Sequence, residues 1–334
     1  MRCVVTGGSG FIGSHLCQAL LDAGHEVTSI DLKVRASQHE FAPSPLDGCE
    51  GVDYVLADVR SDEAAEHLAQ AEVVYHLAAQ RSVQRSLDNP KESMTWNVES
   101  MLAVLQGAPR GARIVTASSS SVYGPNLHGR ESRESDPLAP CSPYAASKVA
   151  CEALCEAWYR SFGASIISLR YFNVYGPGQS PAGDYATVIP RFVRAALRRE
   201  RAEIYGGQQS RAFTYVDDVV RATLLAGEWD LPVPGKASAM HQVLNVGSAE
   251  TTSIQALARL VSQASLFPLE TEHHPARQGE ALVTLPCLEQ VQQVLGWRPV
   301  VTLAEGLGLV FEGMQPFDPA VDEMPTREHV LAAI

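Results

Sequence analysis

Strand-like and helix-like stretches alternate through the first half of this chain. A glycine-rich turn joins the first strand to the first helix, and a carboxylate closes the second strand. These three observations predict an α/β protein with a Rossmann-type doubly wound parallel sheet, followed by a smaller C-terminal α/β domain.

A chain of 334 residues, 46% hydrophobic and 19% charged, can bury a large core as one big α/β domain or two smaller ones. The net charge of -12 comes with no basic stripe, which argues against nucleic-acid partners. The densest basic run, Arg194 to Arg201, holds four arginines and reads as the polar end of an amphipathic helix. No uninterrupted apolar run approaches the ~18 residues of a membrane span, and the N-terminus enters a strand without a signal-peptide core. Seven cysteines, Cys3, Cys17, Cys49, Cys141, Cys151, Cys155 and Cys287, form an odd, scattered set without a C-x-x-C pair. That favours thiols in a reducing cytoplasm over a disulfide framework. Cys151 and Cys155 share a helix face and read as core packers, and no metal site is expected.

In order, the first strand covers Arg2 to Thr6 and runs into Thr6-Gly7-Gly8-Ser9-Gly10-Phe11-Ile12-Gly13, then a helix from Ser14 to Ala23. Gly7, Gly10 and Gly13 serve a tight turn, close approach to a pyrophosphate and close helix–strand packing. The helix N-terminus offers N–H groups and a favourable dipole to the phosphates. A second strand, Glu26 to Ile30, ends in Asp31, 18 residues past Gly13. A carboxylate there accepts hydrogen bonds from an adenosine ribose and repels a 2′-phosphate, which favours NAD over NADP.

Lys33 to Gly51 reads as a loop, Val52 to Ala57 as a third strand and Ser61 to Gln70 as a helix. Asp58 either bonds the adenine amino group or caps that helix. A fourth strand, Val73 to Leu77, precedes the small side chains of Ala78 and Ala79. Asn89-Pro90 opens a long helix to about Gln106, on which Asn97 is either a polar ligand or solvated. A fifth strand, Ala112 to Ala117, ends in Ser118-Ser119-Ser120-Ser121, hydroxyls at the sheet edge where open α/β sheets bind ligands.

A helix opening near Ser142 carries Tyr144 and Lys148, four residues apart and on one face. An ammonium beside a phenol favours the phenolate, lowering the tyrosine from its ordinary value of about 10 and making Tyr144 a plausible proton shuttle. After the strand Ser165 to Arg170 the alternation loosens, placing a domain change near 175: residues 1–175 form the cofactor part and 176–334 mainly the substrate part, some of whose segments return to the first sheet. Asp217 and Asp218 sit at the favourable start of another helix, His273-His274 reads as a solvated loop pair, and Leu303 to Gly313 as a closing helix.

Over about residues 2 to 312 these pieces resemble the extended short-chain dehydrogenase/reductase family, within it the nucleotide-sugar epimerases and dehydratases. The motifs carrying the resemblance are Thr6 to Gly13, His76 to Gln80, Ser119 to Gly124, Tyr144 to Lys148, Arg170 to Gly176, Arg211 to Asp218 and Arg277 to Glu280. The resemblance implies a tightly bound NAD, held by Gly7, Gly10, Phe11, Ile12, Gly13, Asp31, Asp58 and Val59. Leu77, Ala78, Ala79, Gln80, Ser118, Tyr144, Lys148 and Tyr171 complete the cofactor set. It implies Tyr144 as base, Lys148 as ligand to the nicotinamide ribose and Ser119 on the sugar 4-oxygen. For the nucleotide sugar it implies Ser82, Ser120, Asn173, Val188 and Thr284 as further contacts, with Arg211 and Arg277 clamping the diphosphate.

The 4,6-dehydratases that the chain resembles carry Asp-Glu after the catalytic Ser or Thr, and the nucleotide-sugar decarboxylases a Glu two residues after it; here Ser120 and Ser121 stand there. A 4-epimerase needs only the Ser, Tyr, Lys and NAD. Asp184 to Pro190 looks like the stretch in 4-epimerases that accept N-acetylhexosamines. Thr284, seven residues after Arg277, is small where a bulky Tyr would restrict the pocket. The expected reaction is therefore 4-epimerisation of a UDP-sugar through a transient 4-keto sugar, with UDP-GlcNAc/UDP-GalNAc favoured and UDP-Glc/UDP-Gal next. The alternatives are a UDP-glucuronate 4-epimerase, a dehydratase, or a silent nucleotide-binding protein. Family likeness also implies a homodimer through the helices at about 90–106 and 143–162.

Overall fold

The segment Arg2–Thr6, with Cys3, Val4 and Val5 buried, forms β1, which enters a seven-stranded sheet. The computed structural model describes residues 1–32, 49–126, 129–181, 186–229, 238–265, 268–275 and 281–313. The other sheet strands of the first half are β2 (Glu26–Asp31), β3 (Val52–Leu56), β4 (Val73–His76), β5 (Arg113–Ser119) and β6 (Ser165–Tyr171). Between them lie α1 (Phe11–Asp22), α2 (Asp62–Leu68), α3 (Val83–Asp88), α4 (Pro90–Met94), α5 (Ser100–Gly107) and α6 (Pro143–Phe162). Beyond come the short strands β7 (Val174–Tyr175), β8 (Ala202–Tyr205), β9 (Ser210–Arg211) and β10 (Thr214–Tyr215), then β11 (Met240–Val246), β12 (Thr252–Ser253), β13 (Thr271–His274) and β14 (Val283–Thr284). Their helices are α7 (Val188–Arg198), α8 (Val216–Glu228), α9 (Ile254–Ala264), α10 (Glu289–Leu295) and α11 (Leu303–Glu312).

The sheet runs in the order β11-β6-β5-β4-β1-β2-β3, every pairing parallel. The order reverses between β1 and β4, so the loops after those strands open a crevice at the sheet's C-terminal edge, the usual ligand position of doubly wound sheets. β4 and β6 are buried at every position, leaving no polar face to alternate, as expected of parallel strands covered on both sides. Leu16 and Leu20 of α1 with Val219 and Val220 of α8 cover one face. Leu68, Met101, Val104, Cys151 and Cys155, from α2, α5 and α6, cover the other. The two cysteines are packers: burial pushes both thiols up, and Cys155 Sγ rests 3.9 Å from Met101 Sδ.

β11 extends the first sheet by pairing with β6 from Met240↔Ser165 to Val246↔Tyr171. The rest of the second half is built on small sheets, with β9 between β12 and β14, β8 beside β13, and β7 beside β10. α7 buries Ile189, Phe192, Val193 and Ala196 at helical spacing, leaving its arginines on the polar face. Asp218 does more than favour the start of α8. Its buried carboxylate accepts the backbone N–H groups of Val300 and Val301 at 2.9–3.0 Å, while Trp297 Nε1 donates to its carbonyl.

Two expectations need correction. The segment after Asn89-Pro90 is α4, then a π-helical turn at Thr95–Glu99, then α5. The wide turn places Asn97 inside, so it is buried and not solvated. His273-His274 lies not in a loop but in β13, paired with Ile204 and Tyr205 of β8. Among the described residues no helix is long and apolar enough to cross a membrane, and no three His, Cys, Asp or Glu side chains converge as a metal site.

Candidate active site

The turn after β1 is a cradle that side chains would fill. Gly7 has φ 75°, and a Cβ there would lie 2.7 Å from Ala78 N; one at Gly13 would lie 2.1 Å from Gly7 O. Gly10 caps α1 without a side-chain acceptor, leaving the N–H groups of the first turn, at Phe11 and Ile12, for an anion. The Asp31 carboxylate at the end of β2 accepts from Ser9 N at 3.1 Å, against the glycine turn. Ser9 Oγ is buried without a hydrogen-bond partner beside it. An adenosine diphosphate fits this donor set: backbone N–H groups and the Ser9 hydroxyl toward phosphate, a carboxylate toward ribose.

Around the crevice, Leu77 N donates to Thr6 O at 3.0 Å and Ala78 N to Thr6 Oγ1 at 3.4 Å, carrying Ala78-Ala79 past the glycines. Gln80 is fastened by Asn97, whose Oδ1 accepts from Gln80 N at 2.7 Å and whose Nδ2 donates to Gln80 O at 3.1 Å. Asp58 pairs with Arg60, which holds its carboxyl below the usual range. The cap on α2 is Ser61, whose side chain accepts from Ala64 N, so of the two roles weighed for Asp58 capping falls to its neighbour. Val59 beside it is buried. Thr6 Oγ1 lies 2.8 Å from His76 Nδ1, and burial, reinforced by the Lys148 charge, pulls His76 down to about 3.

The catalytic-helix candidates sit where α6 crosses β5. Ser142 caps α6 through Ala145 N, and Pro143 occupies its first turn. Lys148 is buried and donates from Nζ to Ala117 O at 2.8 Å. Tyr144 O accepts from Ser147 Oγ, which in turn accepts from Asn97 Nδ2 at 2.8 Å, so the turn carrying Tyr144 is tied to the π turn. Ser118 and Ser119 end β5 itself. Ser119 Oγ accepts from Ser121 N at 3.2 Å and from Ser121 Oγ at 3.0 Å. Ser120 follows, half-buried, in a 3-10 turn. Ser118 Oγ donates to Glu152 and Tyr171 OH pairs with Thr223, so both hydroxyls are committed within the protein.

On the substrate side, Asn173, Val188 and Arg211 line one cavity of about 650 Å³ beside Tyr175, Phe192 and Tyr205. Ser119, Tyr144 and Lys148 are not among its lining residues, so the cavity suits the nucleotide end of a ligand. Asn173 is held in the left-handed region at φ 38° and donates to Thr284 Oγ1 at 2.9 Å. Thr284 pairs in register with Arg211, whose Nη1 donates to Ala281 O. Ser82 caps α3 through Arg85 N. Arg277, Asp184 and Tyr185 lie outside the described residues.

Sequence reasoning missed Glu152, Tyr123 and Asn245. Glu152 follows Lys148 by one more helical turn and is buried, pairing with Arg170 at 2.7 Å. An acidic residue on the same face as Tyr144 and Lys148 was the available signal.

Comparison with known proteins identifies the family of the chain. Residues 3–247 match the NAD dependent epimerase/dehydratase family. The chain is 36% identical to a UDP-glucose 4-epimerase of Mycolicibacterium smegmatis, over 93% of this chain and 98% of that protein. It is 33% identical to a UDP-N-acetyl-alpha-D-glucosaminuronate decarboxylase of Bacillus cytotoxicus, over 92% and 95%. The solved UDP-N-acetylglucosamine 4-epimerase of Methanobrevibacter ruminantium, in complex with UDP-N-acetylmuramic acid, superimposes with a TM-score of 0.83 at 31% identity, covering 93% of this chain and 97% of that one. With the glycine cradle, the Asp31 carboxylate and the Tyr144/Lys148 helix in place, the chain belongs to the NAD-dependent epimerase/dehydratase family of enzymes that act on nucleotide sugars.

Proposed function

We propose that this protein is an isomerase, a 4-epimerase of a UDP-sugar, working with a tightly retained NAD as a cytoplasmic homodimer. Relatives of comparable identity are named for epimerisation and for decarboxylation, so the choice rests on the residues beside Ser119. Where the dehydratases and decarboxylases it resembles place carboxylates, this chain has Ser120 and Ser121, and the Ser121 hydroxyl donates to Ser119. A hydroxyl can hold an oxygen in place but cannot serve as a carboxylate acid or base, which favours epimerisation.

Bound NAD supplies the oxidising and reducing capacity at the sugar C4. Tyr144 removes the proton from the 4-hydroxyl and returns it to the 4-oxygen when the carbon is reduced on its other face. Ser119 holds that oxygen throughout, and Lys148 fixes the ribose of the cofactor from its seat on Ala117 O. Arg211 and Asn173, at the nucleotide cavity, anchor the diphosphate while the sugar turns. Most of the rate comes from holding alcohol, cofactor and base in line. Replacing Tyr144 by Phe should lower kcat by about 10²–10⁴-fold with NAD still bound, and retention of more than about a tenth of the activity contradicts the assignment.

The small side chain of Thr284, which accepts from Asn173 Nδ2 at 2.9 Å, supports an N-acetylated hexose as the sugar. UDP-Glc/UDP-Gal and UDP-glucuronate are the competing substrates. Thr284→Tyr should favour the non-acetylated sugar, whereas Thr284→Val, which loses the Asn173 bond but keeps the size, should not change the preference. Free cysteines throughout the described residues support a reducing compartment, and the exposed apolar side chains Leu87, Met94 and Trp96 on the 83–99 helices support a dimer surface there.

A further inference from the structure

Tyr144, Lys148 and Glu152 follow each other at four-residue intervals on α6 and lie over the ends of β5 and β6. Lys148 Nζ bonds Ala117 O, and one turn later Glu152 Oε1 accepts from Ser118 Oγ at 2.5 Å, so two bonds fix α6 against the residues leading to Ser119. Glu152 also takes both arms of the Arg170 guanidinium, Oε1 from Nε at 2.9 Å and Oε2 from Nη2 at 2.7 Å. Both side chains are buried. Burial opposes the Arg170 charge, but the bonds and charge of Glu152 outweigh it and hold the guanidinium firmly protonated.

The third arm of Arg170 leads across the sheet edge to β11 and on toward β14. Its Nη1 donates to Tyr123 OH at 2.8 Å, and Tyr123 OH donates to Asn245 Oδ1 at 2.6 Å. Asn245 Nδ2 then donates to Ser132 O at 2.9 Å and Cys287 O at 3.3 Å. Ser132 N donates to Leu285 O, next to the Thr284 that receives Asn173. A continuous set of bonds thus joins the helix of Tyr144 to the strand beside the nucleotide cavity.

A buried ion pair contributes little net stability compared with apolar side chains of the same size. What this one supplies is directional: a two-armed fork permits a single placement of α6. We propose that Glu152 and Arg170, with Tyr123 as the link, are positioning residues that hold Tyr144 and Lys148 in register with Ser119 and couple that register to the Thr284/Asn173 side of the site. The inference rests on the 4-epimerase reading above.

The test compares wild type, Glu152→Gln, Tyr123→Phe and the apolar pair Glu152→Leu/Arg170→Leu, each measured for kcat, KM, retained NAD and urea midpoint. Glu152→Gln keeps the size and one acceptor but loses half the fork. It should lower kcat about 10- to 100-fold, the range that a misplacement near 1 Å produces, with KM and NAD content within about twofold of wild type. Tyr123→Phe removes one hydroxyl and should lower kcat several-fold with NAD retained. The apolar pair should keep the urea midpoint and the NAD yet remain as slow as Glu152→Gln. A purely structural network gives the opposite pattern: activity lost only in step with stability and NAD, and recovered in the apolar pair. That pattern, or kcat within about twofold of wild type in both Glu152→Gln and Tyr123→Phe, overturns the inference while wild type turns over. A wild type that epimerises no UDP-sugar overturns the functional reading itself, and the inference with it.

Discussion

The glycine cradle makes a prediction whose size can be worked from distances. An alanine at position 13 would place its Cβ 2.1 Å from Gly7 O, 2.8 Å from Gly8 Cα and 2.9 Å from Gly7 C. All three are backbone atoms, so no flexible side chain can swing aside. Relief to ordinary contact needs a movement of about 1 Å between α1 and the turn after β1, the two elements proposed to hold the cofactor phosphates. Strain of this kind costs about 1–3 kcal/mol, which falls on the cofactor cradle and corresponds to NAD bound roughly 5- to 150-fold more weakly. The assay is the NAD content of protein purified without added cofactor, followed by titration of stripped protein. Gly308→Ala in α11 is the control of opposite sign. Nothing lies within 4 Å of a Cβ there, and an alanine in a helix gains about 1 kcal/mol over glycine. A Gly13→Ala protein that retains a full complement of NAD with wild-type affinity refutes the steric argument for the site.

Three further outcomes follow from the packing. His76, pulled by burial to about 3 from 6.5, binds its proton more readily in the unfolded chain. Its contribution is therefore complete above pH 6.5 and is lost as pH falls toward 3; relative to a His76→Gln variant, wild type should lose about 2 kcal/mol more between pH 7 and pH 5 in urea titrations. Equal losses in the two proteins would mean that His76 is not the group responsible. Asp218→Asn turns an amide donor toward the Val300 and Val301 N–H groups and should cost about 2–3 kcal/mol, read as a lowered urea midpoint. An unchanged midpoint would show that the 297–301 segment is anchored elsewhere. Trp96→Asp, on the exposed apolar surface of the 83–99 helices, should shift the proposed dimer to monomer in analytical ultracentrifugation; an unaltered dimer places the interface on another face.

What could be read from the sequence was local. The glycine turn was legible because each glycine answers a backbone constraint set within a few residues, and Asp31 because strand length fixes where it ends. The Tyr144–Lys148 face followed from helical geometry alone. Asn97 was not legible, because a π-helical turn at Thr95–Glu99 rotates it inward and no composition signal marks that turn. His273-His274 looked like a loop because β13 pairs with β8 far back in the chain and keeps His273 exposed. Glu152 went unread for a similar reason: its partner Arg170 stands on a neighbouring strand, and only the folded sheet shows that the carboxylate is buried and paired. Ser118 and Ser119 belong to β5 and not to a loop after it, since hydrogen bonding to β6 continues to Ser119↔Tyr171.

The central claim is 4-epimerisation of a UDP-sugar by a protein that carries its own NAD. It is tested by proton NMR of the purified protein, with no cofactor added and with UDP-GlcNAc, UDP-Glc and UDP-glucuronate supplied separately. The expected result is the C4 epimer from at least one sugar, UDP-GlcNAc turning over faster. Release of a deoxy, unsaturated or decarboxylated sugar, or no change in either sugar or in UDP-glucuronate while NAD is demonstrably bound, would contradict it.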